Sequence, residues 1–380
     1  MKKEFSDILT IINGKNQKAV ENPNGAYPIY GSGGIIGYAN KFLCPAHTVI
    51  IGRKGTINKP IYVDTPFWNV DTAFGLHANE SILLPRYLYY FCISYDFERL
   101  NKTVTIPSLT KADLLRIPME VPSIAEQRKI CTELDRIETL EKICRASLET
   151  LDQLIKSQFV ELFGDPHHST LYPYKRVKDF TEVRSGGTPS RKQESYWKDG
   201  DVRWVKTTEL RNNEIYDTEE KITTEAVEHS SAKIVPQDTI LIAMYGQGKT
   251  RGMTAYLKVE STTNQACACI LPTEGINPKY LWRFFILSYE ELRNLAQGAG
   301  QPNLTGDMIK NFSVLMPPLA LQNEFAAFVE QADKSKFAVL MHRQILLKTA
   351  LLSAMFSSYT NSDRRICKSL HRRSVDNDEL

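Results

Sequence analysis

The sequence lacks a hydrophobic run long enough to cross a membrane. Across its 380 residues, no stretch approaches the roughly 18 uninterrupted apolar residues that a membrane-spanning helix needs. The chain begins Met1-Lys2-Lys3-Glu4, and the positions that follow lack the apolar core of a signal peptide. We therefore expect a cytoplasmic protein that does not act at a membrane.

Cysteine is present in a number and arrangement that exclude two common uses. The seven cysteines are an odd number scattered along a long chain, which does not describe a disulfide framework. Cys267 and Cys269 are two residues apart, but no second pair and no nearby histidine completes a zinc-binding set. Because Ala266, Ala268 and Ile270 interleave with them, we interpret these thiols as buried in a β-strand.

An excess of charge of one sign is also missing. The chain carries 47 basic and 44 acidic residues, for a net charge of +3. This balance does not by itself indicate a nucleic-acid-binding protein, so any basic surface must come from local placement. The length is sufficient for two or three domains, each with its own core.

No motif of a catalytic or cofactor site meets its full pattern. Residues 246–250 resemble a phosphate-binding loop, but the glycine required six residues before the lysine is replaced by Ala243. Residues 277–280 differ by a lysine from the Asn-Pro-Pro-Tyr motif of amino-methyltransferases, and no glycine-rich cofactor motif precedes them. Residues 31–37 lack the third glycine of a dinucleotide-binding loop. We therefore expect no catalytic residue, metal site or cofactor site on this chain.

One pattern occurs twice along the chain. Residues 107–127 and 302–322 align without a gap at an offset of 195, and six of the 21 aligned positions are identical. Upstream, residues 85–91 and 278–284 share Pro-x-Tyr-Leu-x-x-Phe at an offset of 193. Ordered matches at a nearly constant offset indicate that one structural unit has been duplicated.

Each unit is β-rich at first and closes in a long helix. Short apolar runs separated by glycine and proline predict strands and turns, followed by a short helix that starts at Pro85 or Pro278. After Pro122 and Pro318, apolar residues recur three, four or seven positions apart on charged segments, which predicts coiled-coil helices. About 35 residues at 1.5 Å each make rods of roughly 50 Å.

We predict an α+β fold in which two repeated β-rich domains are separated by two long helices that pack antiparallel as a coiled coil. The expected parts are a first domain over 1–121, a first long helix over 122–165, a second domain over 166–316, a second long helix over 317–357, and a polar, disordered tail over 358–380. Within the long parts, the helical pattern covers about 124–163 and 320–356.

The order of these motifs resembles the specificity subunits of type I restriction-modification systems. The motifs that carry the resemblance cover nearly all of residues 1–357 and lie at 27–34, 107–128, 156–166, 185–190, 196–197 and 202–207. The second unit departs from the first at two places, where Gly306-Asp307 replaces Lys111-Ala112 and Ser313 replaces Pro118. These replacements are expected to change only the local shape of the loops.

The resemblance implies a division of labour. Each unit would be a target-recognition domain that reads one half of a split sequence in double-stranded DNA. The helices would set the spacer between the half-sites and bind two methyltransferase subunits, and through them restriction subunits. S-adenosylmethionine, ATP and magnesium would belong to those partners, and this chain would not be an enzyme.

Candidate DNA-binding residues are the basic and amide side chains on loops near glycine, because phosphate contacts use Lys and Arg and base edges are read by Arg, Lys, Asn and Gln. In the first unit these are Asn40, Lys41, Arg53, Lys54, Asn58, Lys59 and Lys102. In the second unit they are Arg191, Lys192, Lys206, Arg211, Asn212, Gln247, Lys249, Arg251, Gln301 and Asn303.

One alternative function keeps the same architecture. A scaffold or orphan subunit would retain the coiled coil and the docking surfaces, but its loops would not discriminate between DNA sequences. The two hypotheses differ only in what the loops of the β-rich units do.

Overall fold

The computed structural model describes residues 1–101, 107–246, 248–296 and 303–356, with side chains up to residue 346. The chain divides into two compact units, Met1–Ser147 together with the chain from Ala338 onward, and Leu148–Phe337. This division passes through both long helices, whereas the domain boundaries expected from the sequence follow the helix ends, and those boundaries stay predictions. The predicted tail over 358–380 lies outside the described residues.

The first unit is built from short strands and three short helices before the first long helix. Its strands are β1 (Lys2–Glu4), β2 (Leu9–Asn13), β3 (Tyr27–Gly31), β4 (Gly34–Ala39), β5 (Thr48–Gly52), β6 (Ile61–Val63), β7 (Trp68–Asn69), β8 (Ala73–Ala78) and β9 (Pro118–Glu120). Its helices are α1 (Phe5–Ile8), α2 (Pro85–Ser94), α3 (Lys111–Leu115) and the long α4 (Ile124–Phe163), with a 3-10 turn at Phe97–Leu100.

Three sheets organise this unit. The main sheet has the order β2-β8-β5-β6, a smaller sheet has the order β4-β3-β7, and β1 pairs with β9. Every residue of β5 is buried, because α2 covers one face of the main sheet and the smaller sheet lies against the other. An apolar strand without polar alternation is what burial on both faces requires.

The second unit follows the same plan with additional elements. Its strands are β10 (Tyr174–Arg176), β11 (Val183–Ser185), β12 (Val202–Val205), β13 (Asn213–Ile215), β14 (Glu220–Ile222), β15 (Ile240–Ala243), β16 (Thr254–Leu257), β17 (Thr262–Thr263), β18 (Cys267–Ile270) and β19 (Ser313–Leu315). Its helices are α5 (Thr224–His229), α6 (Pro278–Leu287), α7 (Tyr289–Leu295), α8 (Gly306–Lys310) and the long α9 (Leu319–Phe356), with 3-10 turns at Val177–Asp179, Glu194–Tyr196 and Thr207–Glu209.

The strand order confirms the duplication that the sequence predicts. The main sheet of the second unit has the order β11-β18-β15-β16-β13, so β18-β15-β16 repeats β8-β5-β6. The smaller sheets each contain a parallel pair, β3 with β7 and β12 with β17. The terminal pair β1-β9 recurs as β10-β19. The strand β13, which lies parallel to β16, has no counterpart among the described strands of the first unit.

The repeated Pro-x-Leu-Thr motif has the same structural role in both units. Leu109 and Leu304 are buried, and Thr110 and Thr305 cap the following helices by accepting a hydrogen bond from a backbone N–H three residues on. The leucine N–H groups donate to the carbonyls of Arg53, at 2.9 Å, and Met244, at 3.0 Å. The motif therefore ties a helix start to the loop that leaves the central strand.

A buried glutamine joins each long helix to its unit. The Gln127 side chain accepts from Leu84 N–H at 2.8 Å and donates to the carbonyls of Ile82 and Pro122. Its counterpart Gln322 accepts from Asn277 N–H at 2.8 Å and donates to the carbonyl of Pro317 at 2.8 Å. Both side chains lie inside the protein, where an unmade hydrogen bond is costly. The proline-glutamine spacing in the sequence thus positions each helix on its domain.

The two long helices run antiparallel. In the second unit, Phe159 of α4 packs on Phe325 of α9 with ring centroids 5.4 Å apart, while Asp152 forms an ion pair with Lys336. Residue numbers rise on one helix as they fall on the other, which is the predicted antiparallel arrangement. None of the described helices combines the length and the apolar character of a membrane span.

Burial in the structure agrees with the prediction for the two cysteines of β18 and differs from it for one leucine of α9. Cys267 and Cys269 are buried in β18, as expected, and burial raises the pKa of Cys269 to about 11. Their neighbours Ala268 and Ile270 are buried as well, because β18 is an inner strand that is covered on both faces. The three-, four- and seven-residue spacing of apolar residues in α9 also predicts that Leu340 is buried, but this side chain is 36% exposed. The pairing of α4 and α9 covers only a narrow seam, and Leu340 lies beside it.

We expect Gln322→Ala to destabilise the protein strongly. The substitution leaves the Asn277 N–H and the Pro317 carbonyl without their partner, and a buried unsatisfied group costs about 1–3 kcal/mol. The free energy of unfolding, measured by urea denaturation, should fall by about 2–4 kcal/mol. Gln331→Ala is the control, since this exposed glutamine lies on the same helix and should change stability by less than about 0.5 kcal/mol. Equal effects of the two substitutions would contradict the assigned role.

Candidate nucleic-acid interface

The loop after β5 presents two candidate cations in the first unit. Arg53 and Lys54 are both exposed, and the backbone of the loop is held from two sides. Arg53 N–H donates to Thr72 carbonyl at 2.7 Å, and Gly55 N–H donates to Pro107 carbonyl at 3.0 Å. The φ of Gly55 is 76°, a left-handed conformation that favours glycine. The sequence therefore builds a rigid loop that points basic side chains to solvent.

The other candidates of the first unit differ in what they do. Asn40, Lys41 and Lys59 are exposed, although Asn40 accepts a hydrogen bond from Asn22. Asn58 forms its hydrogen bonds with the protein itself. Its amide donates to Asp96 at 3.1 Å, and its carbonyl oxygen accepts from Phe97 N–H at 2.7 Å. These contacts support a loop-positioning role for Asn58. Lys102 lies outside the described residues.

A second basic loop follows the equivalent strand β15 in the second unit. Lys249 is exposed and Arg251 is partly buried, and the backbone of both is bound by helix α7. Tyr289 hydroxyl donates to Lys249 carbonyl at 2.6 Å, while Arg293 donates to the carbonyls of Gly248 and Arg251, each at 3.0 Å. Gly248 has a φ of 59°, a left-handed conformation that favours glycine. Gln247 lies outside the described residues.

A cluster of opposite charges surrounds Arg191 and Lys206. Arg191 pairs with Glu220 at 2.5 Å and lies 3.5 Å from the ring centroid of Trp197. Lys206 pairs with Glu219 at 2.7 Å and with Glu220 at 3.0 Å. The hydrogen bond to Glu219 and that to Glu220 raise the pKa of Lys206, and the hydrogen bond from Arg191 lowers the pKa of Glu220. Both side chains are therefore held by carboxylates of the same unit.

The remaining candidates of the second unit lie on turns. Lys192 and Arg211 are exposed, whereas Asn212 accepts hydrogen bonds from the backbone and the hydroxyl of Thr254 at 3.1 and 2.9 Å. Asn212 therefore holds its own turn, in which its φ is 55°. Asn303 is partly buried just before the Leu304 contact. Gln301 lies outside the described residues.

The structure also shows residues that the sequence did not single out. Tyr289 and Arg293 bind the backbone of the loop that follows β15. In the sequence they are marked only by an i, i+4 spacing, which is common in helices. In the first unit, apolar side chains are exposed beside Asn40 and Lys41. They are Ile35, Ile36, Tyr38 and Phe42. Apolar groups of this kind can contact the methyl group of thymine.

The chemistry of the two basic loops fits contact with a polyanion. The first loop has two exposed cations and the second has one exposed and one partly buried, and in both the backbone is fixed by hydrogen bonds, which lowers the entropy lost on binding. Cations of this kind bind phosphate, and base edges can be read by the arginine and amide groups nearby. Within the described residues, no cluster of three or more His, Cys, Asp or Glu side chains is arranged to hold a metal ion.

The comparisons with known proteins agree with the duplicated architecture. The family described as Type I restriction modification DNA specificity domain matches residues 1–153 and again 172–348. The chain is 33% identical over 182 residues to the type I restriction enzyme MjaIX specificity subunit of Methanocaldococcus jannaschii, a match covering 47% of the chain and 41% of that relative. It is 25% identical over 313 residues to the EcoR124I/EcoR124II specificity subunit of Escherichia coli, covering 79% and 76%.

Two solved structures share the fold. The S subunit of a type I restriction-modification system from M. genitalium superposes with a TM-score of 0.65 at 15% identity, over 96% of this chain and 95% of that one. A chain from a study of complex assembly and conformational transition of the type I R-M system superposes with a TM-score of 0.51 at 14% identity, over 97% of both chains.

We expect Arg293→Ala to loosen the second basic loop without unfolding the protein. Loss of the two hydrogen bonds to the carbonyls of Gly248 and Arg251 should raise amide hydrogen exchange across residues 248–252 by about tenfold or more. Glu290→Ala, an exposed change on the same helix, is the control and should leave that exchange as it is. Unchanged exchange in Arg293→Ala would show that α7 does not hold the loop.

Proposed function

The chain belongs to the type I restriction modification DNA specificity family, and from this membership we propose that it reads a two-part, asymmetric target in double-stranded DNA. Each β-rich unit reads one half-site. The observation that carries the proposal is that the family matches twice, once on each copy of the repeat. Two copies that share a frame but differ in their loops suit two different half-sequences.

Recognition would proceed through the two loops that leave the central strands. Arg53 and Lys54 lie on the loop of the first β-rich unit, and Lys249 and Arg251 lie on the loop of the second. Lysine and arginine supply phosphate contacts, which position the protein but carry no sequence information. Arginine and lysine can also contact guanine in the major groove, where each good bidentate pair is worth about 1–3 kcal/mol of discrimination.

The long helices would set the spacer and bind the catalytic partners. Two methyltransferase subunits would dock on the helices, and restriction subunits would join through them. Apolar side chains exposed on the helices support a docking role, since large exposed apolar groups often mark protein interfaces. They include Ile143, Leu154 and Val160 on α4 and Phe337, Met341 and Ile345 on α9.

The chemistry would belong to the partners. Methyl transfer from S-adenosylmethionine and cleavage driven by ATP, with magnesium, would take place on their subunits, in the cytoplasm where the DNA lies. The chain itself would select the site and hold the subunits on it, without a catalytic residue of its own.

The proposal predicts that the two loops act on separate half-sites. The double substitution Arg53→Ala with Lys54→Ala should relax or weaken one half-site, and Lys249→Ala with Arg251→Ala should affect the other, because base readout is local. The measurement is methylation-sensitive long-read sequencing of host DNA that carries each variant gene. Loss of a base contact should cut discrimination about tenfold or more at that position.

A control removes the same amount of charge elsewhere. Arg136→Ala with Lys142→Ala changes two exposed cations on α4, outside the β-rich part, and should leave both half-sites unchanged. A change in both half-sites after one loop substitution would contradict the proposal that each β-rich unit recognises its half-site independently. Methylation that follows no sequence in the wild type would favour the scaffold alternative.

The spacer prediction concerns the helices. Four residues inserted in α4 beside Glu141, with four in α9 beside its ion-pair partner Arg343, lengthen both helices by about 6 Å. At 3.4 Å per base pair, the spacer should grow by about two base pairs while both half-sequences stay the same. Four residues inserted in the turn at Asp199 form the control and should leave the spacer alone. An unchanged spacer in the helix variant would contradict the proposal that the long helices set the distance between the half-sites.

A further inference from the structure

The two units differ at one edge of the main sheet. In the second unit, β16 is covered by β13, which lies parallel to it. In the first unit, the equivalent strand β6 pairs with β5, and no described strand lies on its other side. An edge strand offers a row of backbone donors and acceptors to another chain.

The equivalence of the two edges rests on the register of the repeat. Val49 of β5 faces Tyr62, and its counterpart Ile240 of β15 faces Tyr256. A cation from the following helix approaches each tyrosine ring. The Arg86 guanidinium lies 5.0 Å from the centroid of Tyr62, and the Lys279 ammonium lies 6.0 Å from that of Tyr256. The edges therefore share a tyrosine and a cation.

The second unit shows what such an edge binds. The strand β13 places Glu214 opposite Tyr256, and a Glu214 carboxylate oxygen lies 2.9 Å from the Lys279 ammonium. This strand belongs to the long connection between β12 and β14. In the first unit, β3 and β4 are joined by residues 32–33 alone, which cannot reach the edge of β6. The same edge is thus left open.

A cleft of about 420 Å³ lies beside the open edge, between β6 and the start of α4. Three groups that carry or accept positive charge line it, His47, Arg86 and Arg128, together with Glu80. The Arg86 guanidinium is bound by two carboxylates of α4, Asp135 and, at 2.8 Å, Glu138. Arg128 is exposed in the same cleft and is the cation that a carboxylate of an added strand would meet.

We propose that β6 binds an extended segment of a partner protein, added parallel to the strand, with an acidic side chain directed into this cleft. Backbone hydrogen bonds to β6 supply affinity, as in other complexes in which a peptide adds a strand to a sheet, and Arg128 selects the carboxylate. The occupant has the chemistry of β13, which the chain itself uses at the equivalent edge. This surface is separate from the basic loops of the proposed DNA interface.

The test uses the full-length chain and a fluorescein-labelled peptide copying residues 211–217, Arg-Asn-Asn-Glu-Ile-Tyr-Asp. Anisotropy should show saturable binding, and hydrogen exchange at Ile61–Val63 should slow by about tenfold. Arg128→Glu should weaken binding by about fivefold or more, the effect of one lost ion pair. Lys129→Glu makes the same charge change on the next residue, outside the cleft, and should retain the affinity.

Four results would overturn the proposal. The first is no binding of the peptide at about 1 mM. The second is binding that leaves the exchange of the β6 amides unchanged, which would mean ionic attraction without an added strand. The third is binding only after residues 358–380 are deleted, which would assign the edge to this chain's own C-terminal segment. A peptide with Glu214→Lys that binds as well as the original would remove the role of the carboxylate.

Discussion

The structure depends on the way each long helix is fixed to its β-rich unit. A buried glutamine, Gln127 or Gln322, bonds to backbone groups on both sides of the helix start. These backbone groups lie away from water, so the glutamine cannot be lost without leaving them unsatisfied. An ion pair then fixes the helix about three turns further on, between Arg86 and Glu138 or between Arg283 and Asp333. A helix held at two levels cannot swivel on its domain.

The basic loops are also fixed to the core of their units. The Pro-x-Leu-Thr segment buries its leucine, caps a helix with its threonine and donates a backbone hydrogen bond to the loop that leaves the central strand. One short motif thus couples the core to the exposed basic loop. In the second unit, Tyr289 and Arg293 add hydrogen bonds to the loop backbone. Rigid presentation lowers the entropy lost on binding, so a loop can vary its side chains while its path stays constant.

The two copies have diverged where the frame permits it. The connection between β3 and β4 is a two-residue turn, whereas that between β12 and β14 carries β13 and the ion pair of Lys206 with Glu219. Insertions of this kind are tolerated because a surface loop lengthens at little entropic cost. A change of loop therefore alters the surface of one unit without disturbing the sheet beneath. Two units built this way differ in surface and share a core.

The sequence alone determined the duplication and the bounds of the long helices, since each depends on local periodicity or on residues that recur at a nearly constant offset. It also placed Arg53, Lys54 and Lys249 on loops. Only the tertiary structure decided that Asn58 and Asn212 serve the protein's own backbone, that Arg191 and Lys206 are paired with Glu220, and that Leu340 is exposed. These outcomes depend on partners many residues away, and periodicity carries no information about which distant groups a fold brings within 3 Å.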